Sequence, residues 1–528
     1  MRAVRAGVER TWRRVDAAAW ASSGRLGLLL IALSCALTIG VAALGPSSVT
    51  LNVGPASGLL PPWFIPAEAG KGLGLPPSEW LVVPVLWVGI VAGGLGLWVA
   101  SRAVAAGWRP GVRRLFAVGA GLSLATACVP PLTSADVLMY AAYGRLQRLG
   151  LDPYALSPAD VFRQAYDPVL VWTERPWQDT PSVYGPIASA SQLLANLLGG
   201  ESMHDIVFWL QVACVVPFIV VGAVVVKLAH GDEARQTRAV LFTVANPLLV
   251  WAVVAGAHNE ALTLVFAICA LAFVRRSPFV TGVFIGLAGA VKVSLVFYGL
   301  ALVWGYRREP RKLLSLVAGA AVPLVVAYGL VAPQALFAAS RNLGYISQGS
   351  WGLPVVFVLE PVLGGEAARG VVTKLGWVLL VVIAWMLSRV LDWEPVPGAR
   401  VPARDDALTI AVRTALVLCT AWVITTPWSL PWYDLIAWAP LALVARNRLS
   451  TLLIWRGAAL SVAHVTARSV QFGASMQWAT WLLREVLCSV VAVGVLAAVV
   501  AWWWDGGHEL PTRDFVRRGW MRLRRADA

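Results

Sequence analysis

The chain has 528 residues, 58% of them hydrophobic and only 13% charged, and a formal net charge of +15. Its apolar runs repeatedly reach the roughly 20 residues a helix needs to cross a bilayer, which excludes an ordinary soluble enzyme. No gap between them is long enough for an independent soluble domain, so one integrated, all-α polytopic membrane domain over 1–528 is expected.

Apolar runs broken by charge, Pro and Gly predict about fourteen (12–14) transmembrane helices. They lie near 26–44, 81–100, 115–132, 206–229, 239–256, 260–274, 279–291, 294–305, 313–331, 371–390, 408–426, 435–445, 451–467 and 481–503. Several are short, and several hold a Pro or Gly, tolerated where neighbouring helices re-satisfy the freed backbone groups. Two spans, within 1–114, precede the first acidic loop. Arg25 and the run after it resemble a signal sequence, but the run's length and the orientation of the second span favour an uncleaved anchor.

Lys and Arg concentrate on the cytoplasmic side of a membrane protein. With the N-terminus inside, thirty of the 43 Lys and Arg fall in cytoplasmic segments, from the six Arg ahead of the first span to the basic tail 504–528. A multi-pass plasma-membrane protein with both termini cytoplasmic is therefore expected. Its positive charge is a topology signal suited to anionic lipid, and nucleic acid is not expected as a partner. This parity requires Val183 to Leu198 to be a half-buried or re-entrant helix instead of a crossing. It also places Asp136, the 133–182 loop, the His258 region, the 332–370 loop and Trp428 to Asp434 on one external face. Cys35, Cys128, Cys214, Cys269, Cys419 and Cys488 all fall within or at the edge of apolar spans, none as CxxC, so neither disulfides nor a thiolate metal site is expected.

Between Thr133 and Ser182 stand Asp136, Asp152, Asp160, Asp167, Glu174 and Asp179, interleaved with Tyr140, Tyr143, Tyr154, Tyr166, Trp172 and Trp177. Carboxylates can bind or deprotonate hydroxyls, and aromatic rings cover the apolar face of a pyranose. The pattern suits a sugar site; the competing reading is a solvated, aromatic-belted loop. Residues 136–150 predict a helix along the membrane surface, offering Val137, Leu138, Tyr140, Ala141, Leu146 and Leu149 to lipid. Asp136 near its N-terminus is either a catalytic carboxylate or a helix cap. Asp152, in the turn-forming DPY, either meets substrate or holds an Asx turn. With its juxtamembrane helices the external catalytic loop spans 133–205.

A group that leaves as a lipid phosphate needs cationic stabilisation, for which Lys292, Arg341 and Arg468 are candidates. Lys292 interrupts the stretch 279–305 and makes it two short antiparallel helices with the lysine near their external end, either paired or snorkelling to headgroups. His258, Asn259 and Glu260 form a polar cluster that binds substrate or caps the next helix. Ligand spacing for a metal is missing, so no divalent metal is expected. GxGxxG after a strand, GxxxxGK[ST] and GxSxG are all missing too, so no nucleotide cofactor is supported. Gly282, Gly286 and Gly289 read as helix-packing positions.

Five stretches carry a resemblance: SADVLMYAAYGRLQRLGLDPY (134–154), SVYGPI (182–187), GAHNEAL (256–262), AVKVS (290–294) and PWYDLIAW (431–438). In order and spacing they resemble the polyprenol-phosphate-mannose-dependent α(1→6)-mannosyltransferases of lipomannan assembly in mycobacteria and corynebacteria. The resemblance implies a GT-C-type helical bundle with an acidic residue in its first large external loop, a position that Asp136 matches. It further implies an inverting displacement, with a carboxylate taking the proton of an acceptor mannose hydroxyl that attacks β-mannosyl phosphopolyprenol. The partners so implied are that lipid-linked donor, a mannosylated phosphatidylinositol or mannan acceptor, and membrane lipid. Asp136 is then the expected base, and Tyr140, Asp152, Tyr184, His258, Asn259, Glu260, Lys292, Arg341, Trp428, Tyr433, Asp434 and Arg468 are the candidate substrate-binding residues. One departure is Glu260, where the family's His-Asn motif is commonly followed by Asp. The alternatives are another GT-C transferase with a different polyprenyl-phosphate sugar, and a flippase or transporter of a polyprenyl-linked glycan. A transporter calls for inverted repeats and charges along several spans, whereas the acidic residues here gather in one loop.

Overall fold

A computed structural model describes residues 23–57, 77–342 and 344–506. The arginines ahead of Arg25 and most of the expected basic tail 504–528 lie outside the described residues. Among the described residues the chain is helical, with two isolated β-bridges and no strand.

Eight helices are long and apolar enough to cross a membrane: Gly24–Ala43, Glu79–Ala105, Met203–Leu228, Glu233–Val254, Pro310–Val331, Gly365–Val390, Ala407–Thr425 and Ala474–Trp504. The six other segments expected as crossings form shorter helices, Val112–Ala127, Glu260–Phe273, Pro278–Val291, Val296–Tyr306, Leu435–Ala442 and Arg448–Ala463. Polar side chains that punctuate the apolar runs also start the helices. Ser23, Ser202, Asp232 and Asp406 each accept a hydrogen bond from a backbone N–H of the first turn.

Glycines set how closely the helices approach. A Cβ on Gly27 would stand 2.8 Å from the Ala100 backbone nitrogen, so Gly24–Ala43 and Glu79–Ala105 meet backbone to backbone. Gly282 and Gly286 face the backbone of Pro310–Leu324 in the same way, the packing role read from their spacing. Pro278–Val291 and Val296–Tyr306 form a hairpin with Lys292 at its apex. Arg275 before the first arm pairs with Asp406 at 2.7 Å and Arg308 after the second pairs with Asp405 at 3.3 Å, which roots both arms at one end of the bundle.

The helix expected along the membrane surface exists as Asp136–Arg148, but its apolar side does not face lipid. Val137, Leu138, Ala141 and Leu146 are fully buried, covered by Pro186–Gly199, Met203–Leu228 and the loop residues Val169 and Leu170. The apolar periodicity marked a buried face, and periodicity alone cannot tell a protein neighbour from lipid. Leu149 does remain exposed. Pro186–Gly199, expected as a half-buried or re-entrant element, buries Gln192, Ala195 and Asn196 while Leu194, Leu197 and Leu198 point outward.

Three distant segments are knitted together beside Asp136. Thr133 N–H donates to the Val49 carbonyl, Leu51 N–H to Pro131 and Ala467 N–H to Thr133. This seam brings the start of the acidic loop against residues more than 300 positions later.

Candidate active site

Asp136 opens its helix without capping it. The cap position is Ala135, Ser134 Oγ accepts the Asp136 N–H at 3.1 Å, and the carboxylate lines a cavity of about 290 Å³. The approach to it is strained: Thr133 has φ +79° and Ala257, just before His258, has φ +52°. Left-handed backbone costs a residue with a Cβ, most of all a β-branched one, and such outliers cluster at functional sites. Hydrogen bonds of the seam hold Thr133 in that conformation.

Asp136 Oδ2 lies 3.6 Å from His258 Nδ1, with the aspartate side chain 17% exposed and the histidine wholly buried. Burial pushes the Asp136 carboxyl up to about 6; the Ser134 hydroxyl pulls it down, Glu260 adds to the rise and Lys292 opposes it. Burial, and then the Lys292 charge, holds His258 well below its ordinary value, so the ring is neutral. It stacks on Trp432 with centroids 3.8 Å apart at 15°.

Behind this pair stands a second one. Lys292 Nζ donates to Glu260 Oε1 at 2.5 Å and lies over the rings of Tyr433 at 4.6 Å and Tyr184 at 5.8 Å. Gly185 makes this possible: its N–H donates to the Val291 carbonyl at 3.0 Å, and a Cβ there would strike the Ala290 backbone. SVYGPI thus lies flush against the hairpin apex and sets Tyr184 beside Lys292, with Tyr140 edge-on to Tyr184 at 5.1 Å. Both ring nitrogens of His258, both amide atoms of Asn259 and Glu260 Oε2 are buried without a hydrogen-bond partner in the protein. Such groups are expensive in a native fold unless something else binds them.

Aromatic side chains line the cavity, among them Trp177, Trp428, Trp432 and Tyr433, with Trp177 edge-on to Trp428 at 6.0 Å. His464, Arg468 and Arg484 line it as well. Asp136 is the one carboxylate lining it among the described residues.

The other candidates lie in different surroundings. Arg468 holds Glu174 with two bonds, of 2.6 and 2.8 Å, and donates to the Ser47 and Thr50 carbonyls. Arg341 donates to the carbonyls of Tyr154 at 2.8 Å and Ser182 at 3.2 Å, which clamps the acidic loop. Asp152 Oδ1 accepts the Tyr154 N–H at 2.8 Å, an Asx turn away from the cavity. Asp434 is turned into the core, where it pairs with Arg456. Asp160 closes a capping box with Ser157, Asp167 pairs with Arg145 at 2.8 Å, and Asp179 pairs with Arg163. Trp432, His464 and Arg484 belong to the cavity but were not singled out from the sequence. A histidine and an arginine inside or beside apolar runs were the available signal.

Residues 26–308, more than half of the chain, match the profile of the "alpha-(1->6)-mannopyranosyltransferase, N-terminal domain" family. The chain is 25% identical to alpha-(1->6)-mannopyranosyltransferase B of Corynebacterium glutamicum over 423 residues, 70% of this chain and 67% of that protein. To alpha-(1->6)-mannopyranosyltransferase A of Mycobacterium tuberculosis it is 27% identical over 333 residues, 60% of this chain and 61% of the relative. With a further alpha-(1->6)-mannopyranosyltransferase of Mycobacterium tuberculosis it shares 31% identity over 147 residues, 28% of this chain and 25% of the relative. The matches thus span between a quarter and two thirds of the relatives' own length. No solved structure matches the chain.

Proposed function

The chain belongs to the α-(1→6)-mannopyranosyltransferase family, and on that premise we propose that it transfers mannose from polyprenyl-phosphate mannose to an α-(1→6)-mannan acceptor of lipomannan or lipoarabinomannan assembly. In this reading the reaction takes place at the external face of the plasma membrane, with both termini on the cytoplasmic side. Asp136 is the general base. Its ionised carboxylate takes the proton of an acceptor hydroxyl, the freed oxygen bonds to the anomeric carbon of the donor, and the bond from that carbon to the phosphate oxygen breaks. Attack opposite the leaving group turns a β-mannosyl phosphate into an α-mannoside.

The observation that carries this reading is the lone carboxylate in an aromatic-walled cavity, raised to about 6 by burial. A base with that value is ionised at neutral pH yet more basic than a free aspartate, the compromise general-base catalysis favours. One carboxylate suffices, because a lipid phosphate leaves without a strong acid, unlike the leaving group of a two-carboxylate hydrolase. Lys292 supplies positive charge behind Tyr184 and Tyr433 for the departing phosphate. Neutral His258, stacked on Trp432 and 3.6 Å from Asp136, packs behind the base with both ring nitrogens unpaired.

The test is purified protein in lipid nanodiscs with defined polyprenyl-phosphate sugars and a short α-mannoside, followed by linkage analysis. The expected product is an α-(1→6)-mannoside formed from the mannose donor, with no loss of turnover in chelator. Transfer of a different sugar, or none with any donor, overturns the proposal.

A further inference from the structure

A second cavity, of about 560 Å³, adjoins the first, and Gln348, Arg468 and Arg484 line both. Its volume falls in the range of sites that enclose a drug-sized molecule. The far side is built from the loop after Val470, the helix Ala474–Trp481 and the π-helical turn Leu482–Leu487 that continues it. A π-turn inside an otherwise α-helical span is a frequent mark of a functional site, and here it carries Arg484 and Glu485 into the cavity wall.

The chemistry of the lining selects the occupant. Arg468 and Arg484 are committed: the first holds Glu174 and two carbonyls, the second donates to the Ala463 and Thr466 carbonyls and to Gln348 Oε1 at 2.9 Å. They shape the wall more than they offer charge to a phosphate. The side chains of Gln471, Gln477 and Glu485 also line it and, among the described residues, make no hydrogen bond within the protein. Amides that both donate and accept match the vicinal hydroxyls of a sugar, and Trp481, 46% exposed, offers a ring for a pyranose face. An acyl chain would desolvate these polar groups without pairing them.

We propose that this second cavity is a subsite for the preceding sugars of an oligosaccharide acceptor, whose terminal hydroxyl reaches Asp136 through the shared wall. The assignment rests on the transferase reading above and adds to it a preference for extended acceptors. Because Gln471, Gln477 and Trp481 are exposed and unbonded, their removal leaves the packing intact.

The experiment combines Gln471→Ala, Gln477→Ala and Trp481→Ala in the full chain in nanodiscs, and compares kcat/KM for an α-(1→6)-mannobiose and a longer α-(1→6)-oligomannoside. The expected loss is about tenfold with the long acceptor, the size of a lost amide-sugar contact set, and under about twofold with the disaccharide. Equal loss with both acceptors, or loss with neither, overturns the subsite. Donor-free binding of the oligomannoside, followed by saturation-transfer NMR, separates the two readings. If the wild-type protein transfers nothing but binds oligomannoside more tightly than the variant, the transferase reading falls and the subsite stands. Unchanged oligomannoside binding, or altered retention of anionic phospholipid instead, removes the subsite.

Discussion

Two buried ion pairs in this molecule look alike in composition and differ in what surrounds them. Arg456 and Asp434 are 6% and 2% exposed, and the guanidinium also donates to Ser429 Oγ at 2.6 Å and to the Val423 carbonyl. Lys292 and Glu260 are 18% and 4% exposed; the ammonium makes one hydrogen bond and otherwise faces two aromatic rings, beside His258 and Asn259 atoms without partners. A guanidinium spreads its charge over a rigid fork of donors, whereas an ammonium is a compact, strongly hydrated point charge. In the first pair the guanidinium has three acceptors and ties separate segments together, although Asp434 Oδ2 is buried without a partner. In the second, donors and a field remain available to a ligand, so the same charges serve a different end.

The sharpest test of that contrast is Asp136→Asn, on the open side of the molecule. It should lower kcat about 10³-fold, the weight of a general base, while the thermal unfolding temperature stays near wild type; turnover within tenfold of wild type removes Asp136 as the base. Arg456→Met should do the reverse. Leaving Asp434 buried and unpaired costs about 3–5 kcal/mol, read as a lower unfolding temperature and poor yield, with the protein that does fold still active. Lys292→Met should raise the donor KM about tenfold with little change for a neutral acceptor, since on the proposed mechanism the lost charge serves the phosphate. Equal effects on both substrates would make the two ion pairs alike after all.

A smaller effect lies in pH. On the proposed mechanism the ionised form of Asp136 is the active one, and burial raises its value to about 6, so kcat/KM should be flat above pH 6 and fall about tenfold per unit below it. Lys292 pulls that value down, so Lys292→Met should move the acid limb to higher pH; an unmoved limb separates lysine from aspartate. Smallest of all is Asp152→Asn. An asparagine oxygen can still accept the Tyr154 N–H, so kinetics within about twofold of wild type are expected, and a larger loss would bring Asp152 into the substrate site.

Each polar break that matters was visible along the chain: Asp136 at the start of an acidic loop, His258 to Glu260 between apolar runs, Lys292 inside one. Their meeting was not, because it depends on Gly185 against the hairpin apex and on the seam between 49–51, 131–133 and 467. Contacts across such separations leave no periodicity. Asp434 shows the opposite difficulty. Sharing a motif with Tyr433 and standing next to it, it turns into the core because Arg456, about two turns up another helix, is waiting there. An arginine within an apolar helix demands a partner, and that demand was the clue to the pair. Helix existence followed from hydropathy, but full crossings did not, since a run such as 279–305 is divided by one lysine into two arms.

Those arms bear on how a greasy substrate arrives. Fourteen residues of helix rise only about 21 Å, well short of the roughly 30 Å of hydrocarbon in a typical bilayer. A hairpin whose two arms share one rooted end therefore cannot by itself span that thickness, and it carries Lys292 at its apex. Under the proposed reaction a long isoprenoid would not have to be lifted clear of the oily slab to present its headgroup; the protein would lower the reaction chamber to meet it.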